Sequence, residues 1–588
     1  MKGYDSQSTM NASCGEIVQL ASHSPPPSPT NTINVFDENV RVDFEDVSLN
    51  IPKDLPRDLS KEERYPVPKG VVLPRPPSDD LKFAYLKTRK GLVALFAFIS
   101  LSVFSAGLVL FMRATGAWWF WAVCALAVVS SIITYILVII VGNGFDYAAH
   151  ETIIKRVRED KEDPFCPSVD ILLPVCGEDM AILNNTWSYV SKVRHNGVLK
   201  VHVLDDSDSA EVKKLCLEYG FEYHVRENRG YMKKAGNLRA AFAKTSGDYF
   251  VILDADFCPR EDFLESVLGR FKADPTIAII QTPQFFEQRK EVSYLERGAG
   301  AVQEIFYRLI QPGRNSARKS YFKKYEPAYG SICVGTCAIY SRSALAPMGG
   351  TAEVEHSEDV RTGFRATKAG YHVEYVPINL AGGVCPNDHR AFFSQQYRWC
   401  SGSTTLLTSA EFWKADLGFI RRMCYISGML FYSTSMMTLF LGPVLSNILI
   451  WMFPEVVLYY NISFALTGII LMLLLIPLWS CQSWPYGAYA TICAQNFAYT
   501  WAIKDKIFNT VGSWTPSGNC GKKSAMAMKF RNARIFAFFL TFGNFASIFT
   551  GSFLHIFLWK DVEYWNVIPL MLITVFYSSN YLPFIFNW

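Results

Sequence analysis

Apolar residues follow two kinds of pattern along this chain. The first is the long uninterrupted run, seen at Leu92 to Met112 and again at Trp118 to Val141. Each run is long enough to cross a bilayer as a helix, which takes about 20 residues. Lys82, Lys87, Arg89 and Lys90 stand before the first run, and Arg113 alone marks the short connection to the second. That bias predicts a cytosolic N-terminal side and a chain that returns to the cytosol after two crossings. From about residue 143 to 412 the pattern changes to short β-branched segments alternating with helical periodicity, the sequence of a soluble α/β domain. VDILLPV (169–175), KVHVLDD (200–206), DYFVILDAD (248–256) and IAIIQTP (277–283) read as buried strands. Parallel strands with ligand groups at their C-terminal ends are the expected arrangement. Four more spanning runs follow, at about 424–453 (interrupted by Pro443), 456–479, 534–558 and 563–586. The stretch 480–533 is too polar to span, and is expected to lie along the cytosolic interface or fold back on the soluble domain.

Composition agrees with a chain divided between lipid and water. Of 588 residues, 50% are hydrophobic and 15% aromatic, high for a purely soluble protein. A net charge of +4 is small for this length and gives no case for nucleic acid as the main partner. Residues 1–80 carry Ser, Pro, Asn and acids, including SPPPSP, without apolar periodicity, and are expected to be a disordered cytosolic tail. No apolar stretch stands at the extreme N-terminus, so a cleaved signal peptide is not expected. The fourteen cysteines are scattered without zinc-type spacing; Cys333 and Cys337 are close in sequence, and packing is their expected role. Asn461-Ile462-Ser463 fits the glycosylation acceptor pattern, close to a predicted span. The expected organisation is a tail (1–80), two spans (91–142), the soluble domain (143–412), and four spans with an interfacial segment (417–588).

Within the soluble domain, acids gather at the predicted strand ends. Asp205 and Asp206 end one strand, and Asp254 and Asp256 end another. Carboxylates at a strand-to-loop transition can converge on one hard divalent cation, although such triplets also arise by chance in surface loops. Lys234, Gly236 and Asn237 open a predicted helix between them; the lysine could neutralise phosphate and the glycine admit close approach, or the pair of lysines could be a solvated helix start. Glu358 and Asp359 begin another helical pattern, where capping and dipole chemistry is the ordinary explanation. About forty residues on, Gln395, Arg398 and Trp399 share one helix face at i, i+3 and i+4. Arginine suits a diphosphate and tryptophan a pyranose ring; an interfacial helix at the lipid headgroups uses the same residues.

The ordered set VDILLPVCGED, LDDS, KAGNL, DAD, QTPQFF, GTCA, SED and QQYRW, between membrane spans, resembles the cellulose synthase catalytic subunits and related processive family 2 glycosyltransferases. The likeness covers about residues 169–402 and, more loosely, the spans. It implies a GT-A-type, Rossmann-like α/β domain inserted between transmembrane helices, and an inverting enzyme that polymerises glucose from UDP-glucose into a β-glucan. Glu178 and Asp205 or Asp206 would hold uridine, and Lys234 the diphosphate. Asp254 would meet the nucleotide sugar, and Asp254 with Asp256 would bind Mg2+ or Mn2+. Asp359, beside Glu358, would be the general base. Gly335 and Thr336 would line the acceptor site, Gln395 and Arg398 would serve the pyrophosphate side, and Trp399 would stack on the glucan end. Trp514, Thr515 and Gly518, in WTPSG, resemble the family's gating loop. Ser357 stands where the family usually has threonine, and Cys176-Gly177 where it has an aromatic and asparagine.

The implied partners are UDP-glucose, the growing glucan and the bilayer, in the plasma membrane with both termini cytosolic; a homo-oligomer is compatible with this. Hyaluronan- and chitin-synthase-like enzymes share the acidic motifs and the QxxRW-like ending, so another UDP-sugar is the nearest alternative. A non-catalytic transporter or scaffold on the same fold is the second.

Overall fold

The computed structural model describes residues 64–587 apart from 88–89, most of 117–143, 318, 320–323, 481–486 and 512–523. The second predicted span therefore lies mostly outside the described residues, and the WTPSG loop wholly so.

The soluble domain is built on a seven-stranded sheet in the order β3-β2-β1-β4-β8-β6-β9. Its strands are β1 (Val169–Val175), β2 (Leu199–Asp205), β3 (Glu222–His224), β4 (Tyr249–Ile252), β6 (Ile277–Gln281), β8 (Ala338–Ser341) and β9 (His372–Tyr375). Three short strands, β5 (Cys258–Pro259), β7 (Phe285–Phe286) and β10 (Ala381–Gly383), pair separately in the order β5-β10-β7. This is a GT-A-type α/β architecture, and the four segments read as strands are β1, β2, β4 and β6. The sheet is not wholly parallel: β8 runs antiparallel to both β4 and β6. Its sequence continues directly from the GTCA segment, whose loop-like residues hide the four-residue apolar strand that follows.

Alternation along β1 divides the core. Ile171, Leu173 and Val175 pack with Trp187 and Leu183 on one face, while Leu172 joins Leu204, Leu238 and Phe250 on the other. Phe250 and Tyr340, direct neighbours across β4 and β8, stack at 4.9 Å between centroids. Pro174 costs the sheet no hydrogen bond. The Val169 N–H points toward β2, so the even-numbered positions of β1 face β4, and β4 pairs only with residues 169–172. Beyond that point β4 leaves the sheet and carries the chain into Asp254-Ala255-Asp256.

The end of the expected tail, residues 64–80, lies against this domain. Arg75 makes a bidentate pair with Glu287 at 2.7 Å per bond, Asn185 donates to the Pro74 carbonyl, and Arg260 donates to that of Pro77. Proline carbonyls and an arginine fork give this segment fixed contacts without apolar periodicity.

Among the described residues, four helical stretches are long and apolar enough to cross a membrane: Phe98–Thr115, Phe419–Met452, Ala525–Trp559 and Tyr564–Phe586. A further apolar helix, Tyr459–Ser480, packs along Lys90–Thr115; Ser100 donates to the Gly468 carbonyl, and Gly468 leaves room for Phe104. Phe539, Phe553 and Phe557 are exposed on outer helix faces, as lipid-facing residues would be. The helix Phe419–Met452 contains Pro443 and is tied to the soluble domain at its start by Arg421, which donates to the Ala328 carbonyl, and Arg422, which donates to that of Phe412.

The polar stretch 480–533 contains a mostly buried helix, Gly487–Ile507, packed between His389–Leu407 and Tyr294–Ile305. Part of its polarity is met by partners. Tyr499 donates to Gln396, and the buried Asp505 accepts from Tyr397 at 2.7 Å and from Lys529. Lys529 also donates to the Thr510 carbonyl, and Thr510 donates to Asp505, so both flanks of segment 512–523 join one ion-pair cluster. Lys529 belongs to the helix Ala525–Phe553, which begins well before the predicted span at 534. Removing the lysine leaves a buried carboxylate with reduced compensation. Lys529→Met is expected to destabilise the protein by about 3 kcal/mol, read as a lowered thermal midpoint of the detergent-solubilised chain, with Arg531→Met as the control.

Candidate active site

Three chain segments converge beyond the C-terminal ends of β1, β2 and β4. The loop after β1 turns at Gly177, whose φ of +86° suits glycine, and Glu178 accepts a bond from the Cys176 N–H at 2.6 Å. Burial, aided by nearby Asp254 and Asp205, lifts the Glu178 carboxyl above its ordinary value.

The two acids at the end of β2 do different work. Asp205 is buried and accepts from the Ser207 N–H and hydroxyl, the Ser209 N–H and the Tyr223 hydroxyl, at 2.5 to 2.9 Å. Four donors fill a carboxylate, so Asp205 shapes the turn and has no capacity left for a ligand. Asp206 pairs bidentately with Arg226 at 2.7 and 2.6 Å and keeps two acceptor positions. Arg226 also donates to the carbonyls of Tyr231 and Lys233, fastening the end of β2 to the loop that precedes Lys234. A side chain at Gly236 would overlap the Tyr231 carbonyl and meet Arg226 at 2.5 Å, and Asn237 donates to the Leu204 carbonyl at 2.8 Å. Both residues thus hold this junction together, and the phosphate approach expected at Gly236 is not what the glycine provides. Sequence reasoning missed Arg226 because its carboxylate partner, Asp206, lies 20 residues away in the chain.

Lys234 reaches Asp254 directly. Burial opposes its charge, but Asp254, then Glu358 and Asp359, hold the ammonium above its ordinary pKa. Lys234 therefore lies within electrostatic reach of acids from two segments about a hundred residues apart in sequence. Met232 and Lys233 just before it, Cys337 after the Gly335-Thr336 pair, and Ser357 before Glu358 all have φ near +50°. Strained non-glycine backbone beside each group of site residues is the kind of local cost that functional sites carry.

The GTCA segment joins the two halves of the pocket. The Asp254 N–H donates to Thr336 Oγ1 at 2.9 Å, and a Cβ at Gly335 would stand 3.0 Å from Asp359 Oδ2. Asp359 itself accepts from the Val360 N–H at 2.8 Å. Burial, then the charge of Glu358, pushes its carboxyl up to about 7. On the helix His389–Leu407, Gln396, Tyr397 and Cys400 face inward, while Gln395, Arg398 and Trp399 are less buried. Gly402, one helical repeat beyond Gln395, abuts Ser357 so closely that any side chain there would overlap its Oγ. The Gln395/Arg398/Trp399 face is therefore directed at the loop, His356-Ser357, that leads into the helix start carrying Asp359.

Asp254 and Asp256 fit a hard divalent cation. No side chain among the described residues donates to Asp256, and burial, then Asp254 and Glu178, pushes its carboxyl up to about 7. Three carboxylates facing one ammonium leave a negative excess that a divalent ion would cancel, and all the donor atoms are oxygens. The protein offers two ligand residues here, so further ligands would come from a bound diphosphate or water.

Residues 249–479 match the family described as "Glycosyl transferase family group 2". Curated relatives include the cellulose synthase catalytic subunit [UDP-forming] of Xanthomonas axonopodis pv. citri (strain 306), 30% identical over 271 residues, 45% of this chain and 36% of the relative. The corresponding subunit of Pseudomonas fluorescens (strain SBW25) is 30% identical over 274 residues, 45% and 35% of the two chains. Cellulose synthase 1 of Komagataeibacter xylinus is 30% identical over 278 residues, 45% of this chain and 16% of that one. The matched stretch thus spans about a third or less of the length of these relatives. Among solved structures, a mannosyltransferase from Pyrobaculum calidifontis in complex with GDP-Man and Mn2+ is 15% identical, with a TM-score of 0.42, covering 66% of this chain and 99% of that one.

The fit of Gly402 against Ser357 is testable by itself. Gly402→Ala is expected to cost about 1–3 kcal/mol by overpacking and to raise amide hydrogen exchange in residues 354–360 while leaving exchange in β1 and β4 unchanged.

Proposed function

We propose that this cellulose synthase-like family 2 glycosyltransferase is a membrane-embedded enzyme that transfers glucose from UDP-glucose, with inversion, onto a growing β-1,4-linked glucan. The observation that carries this reading is that Asp359 and Asp254, about a hundred residues apart in sequence, lie within the field of the same ammonium, Lys234. Inversion in one displacement needs a base behind the attacking hydroxyl and a stabilised leaving group on the opposite side. Carboxylates from two segments that share one cation supply those parts.

In this reading Asp359 takes the proton from the acceptor hydroxyl as the new C–O bond forms. A carboxyl pushed to about 7 is a far better base than an ordinary aspartate and is still substantially ionised at neutral pH. Glu358 contributes by keeping that value high. Lys234 exchanges part of its interaction with Asp254 for the arriving diphosphate, and Arg398 binds the same group from the facing helix. Glu178 and Asp206 border the uridine end. Gly335 and Thr336 line the acceptor site, and Trp399 offers a flat face to the terminal pyranose. Asp254 and Asp256 would hold Mg2+ or Mn2+, which when bound supplies charge to stabilise the departing UDP.

The apolar helices make this a membrane protein. The finer proposal is that the glucan leaves through the protein's own spans, with the catalytic domain and both termini on the cytosolic side of the plasma membrane. A polar chain crossing lipid needs a route lined by protein. A gating role for Trp514, Thr515 and Gly518 belongs to the same proposal.

The test is product analysis with purified full-length protein and separately labelled UDP-glucose, UDP-N-acetylglucosamine and UDP-glucuronate. Label from UDP-glucose is expected in a polymer that an endo-β-1,4-glucanase digests; incorporation of N-acetylglucosamine alone would replace this reading with a chitin-synthase-like one. Asp359→Asn is expected to retain UDP-glucose binding while synthesis falls by at least about a thousandfold. UDP release and synthesis at wild-type rates in that variant would exclude Asp359 as the base. At saturating Mg2+ and substrate, synthesis is expected to decline as pH falls through about 7, because Asp359 then takes up the proton that it must otherwise accept from the sugar.

A further inference from the structure

Away from the acidic pocket, the edge of the sheet brings two histidines and two carboxylates together. Glu222 and His224 alternate on β3 and so point to the same face, and the register sets His202 of β2 opposite Glu222. His202 Nδ1 lies 3.0 Å from His224 Nε2 and 3.2 Å from Glu222 Oε2; the last two atoms are 3.8 Å apart. Four ligands at about 2.0–2.1 Å in tetrahedral array are separated from one another by about 3.3 Å. These three atoms already have that spacing.

The other nitrogen of His202 supports the same conclusion. His202 Nε2 is 3.2 Å from Asp170 Oδ1, and the buried Asp170 is oriented in turn by the Gly247 N–H at 2.7 Å and by Arg342 at 3.2 Å. A carboxylate behind a histidine fixes the proton on the far nitrogen and directs the near lone pair outward, the arrangement that accompanies metal-ligating histidines. With Nε2–H given to Asp170, His202 Nδ1 is an acceptor facing the Glu222 carboxylate at 3.2 Å. Two lone-pair atoms at that separation repel; a proton on His224 Nε2, 3.0 Å from His202 Nδ1, relieves this in part, and a cation between the three atoms relieves it fully. Lys200 does not supply it: its ammonium reaches the other Glu222 oxygen, at 3.4 Å.

We propose that His202, Glu222 and His224 form a second metal site, selective for zinc or a similar late first-row divalent ion, which clips the edge strand β3 to β2. Two imidazoles and one carboxylate suit such an ion, whereas the oxygen-only pair Asp254/Asp256 suits Mg2+ or Mn2+. His202 is buried, His224 partly so and Glu222 exposed, which leaves an open side where water completes the tetrahedron. His202 lies three residue steps before Asp205 on β2, so the ion would sit about 10 Å back along the sheet from the turn beside the acidic pocket. Its role is to stabilise that edge, and through Tyr223, which lies between the two β3 ligands and bonds Asp205, to hold the turn in place.

The test uses full-length protein purified in detergent with a tag free of histidine. Equilibrium dialysis against zinc is expected to give one tightly held ion per chain. Cobalt substitution should give the visible absorption of tetrahedral Co2+, and zinc should raise the thermal midpoint by a few degrees. Asp256→Asn is expected to keep the cobalt spectrum. His224→Ala should lose the spectrum and the thermal response, and Glu222→Gln, an exposed change compatible with folding, should weaken zinc binding at least tenfold. Wild-type protein with no tightly held zinc and no tetrahedral cobalt spectrum would overturn the proposal. A cobalt spectrum lost in Asp256→Asn but kept in His224→Ala would overturn it equally, by assigning the ion to the acidic pocket.

Discussion

Burying like charges beside one another is costly, and the active-site architecture follows from how that cost is met. Glu178, Asp254 and Asp256 gather beyond β1 and β4, and Glu358 with Asp359 arrives from a separate helix. Lys234 is the ammonium these acids share. It pairs directly with Asp254, while Asp256 and Asp359 remain poorly compensated, each with a carboxyl pushed up to about 7. One of these is thereby suited to a cation and the other to a proton. Arg226, Thr336 and Gly402 matter because they fix the distances on which this division depends: Arg226 holds the Lys234 loop, Thr336 holds the Asp254 backbone, and Gly402 admits the Ser357 loop.

The membrane portion is joined to this pocket by a shared apolar cluster, in which Phe392 and Phe393 pack with Phe497, Phe530 and Phe584, and by polar contacts. The helix His389–Leu407 presents Arg398 and Trp399 on one side and gives Gln396 and Tyr397 to the helix Gly487–Ile507 on the other. Asp505 and Lys529 extend the connection to the spanning helix Ala525–Phe553. These bonds connect the spanning helix Ala525–Phe553 to the helix that carries Arg398 and Trp399.

Much of the site was legible in the sequence because its motifs sit at strand ends and helix starts, where local pattern specifies position. Lys234, Asp254, Gly335, Thr336 and Asp359 come together as their order suggested. The remainder depended on register and partners, which a linear pattern does not carry. Asp205 and Asp206 look equivalent in LDDS, yet one is saturated by Ser207, Ser209 and Tyr223 and the other is bound to Arg226. Gly236 looks like a phosphate glycine and instead makes room for that arginine. The antiparallel β8 was hidden by the loop-like residues before it, and the buried helix Gly487–Ile507 by polar residues whose partners are elsewhere in the chain. His202 and His224 meet only because β2 and β3 pair in one register out of several.

An acidic pocket that accepts a nucleotide diphosphate only together with a divalent cation makes UDP binding depend on that cation. Calorimetric titration of UDP into the purified chain, with Mn2+ present and then with the metal removed by chelation, reads this dependence. One UDP per chain is expected with Mn2+ and at least about a hundredfold weaker binding without it, since the surrounding carboxylates then repel the diphosphate. Equal affinity under both conditions, or no UDP binding under either, would contradict it.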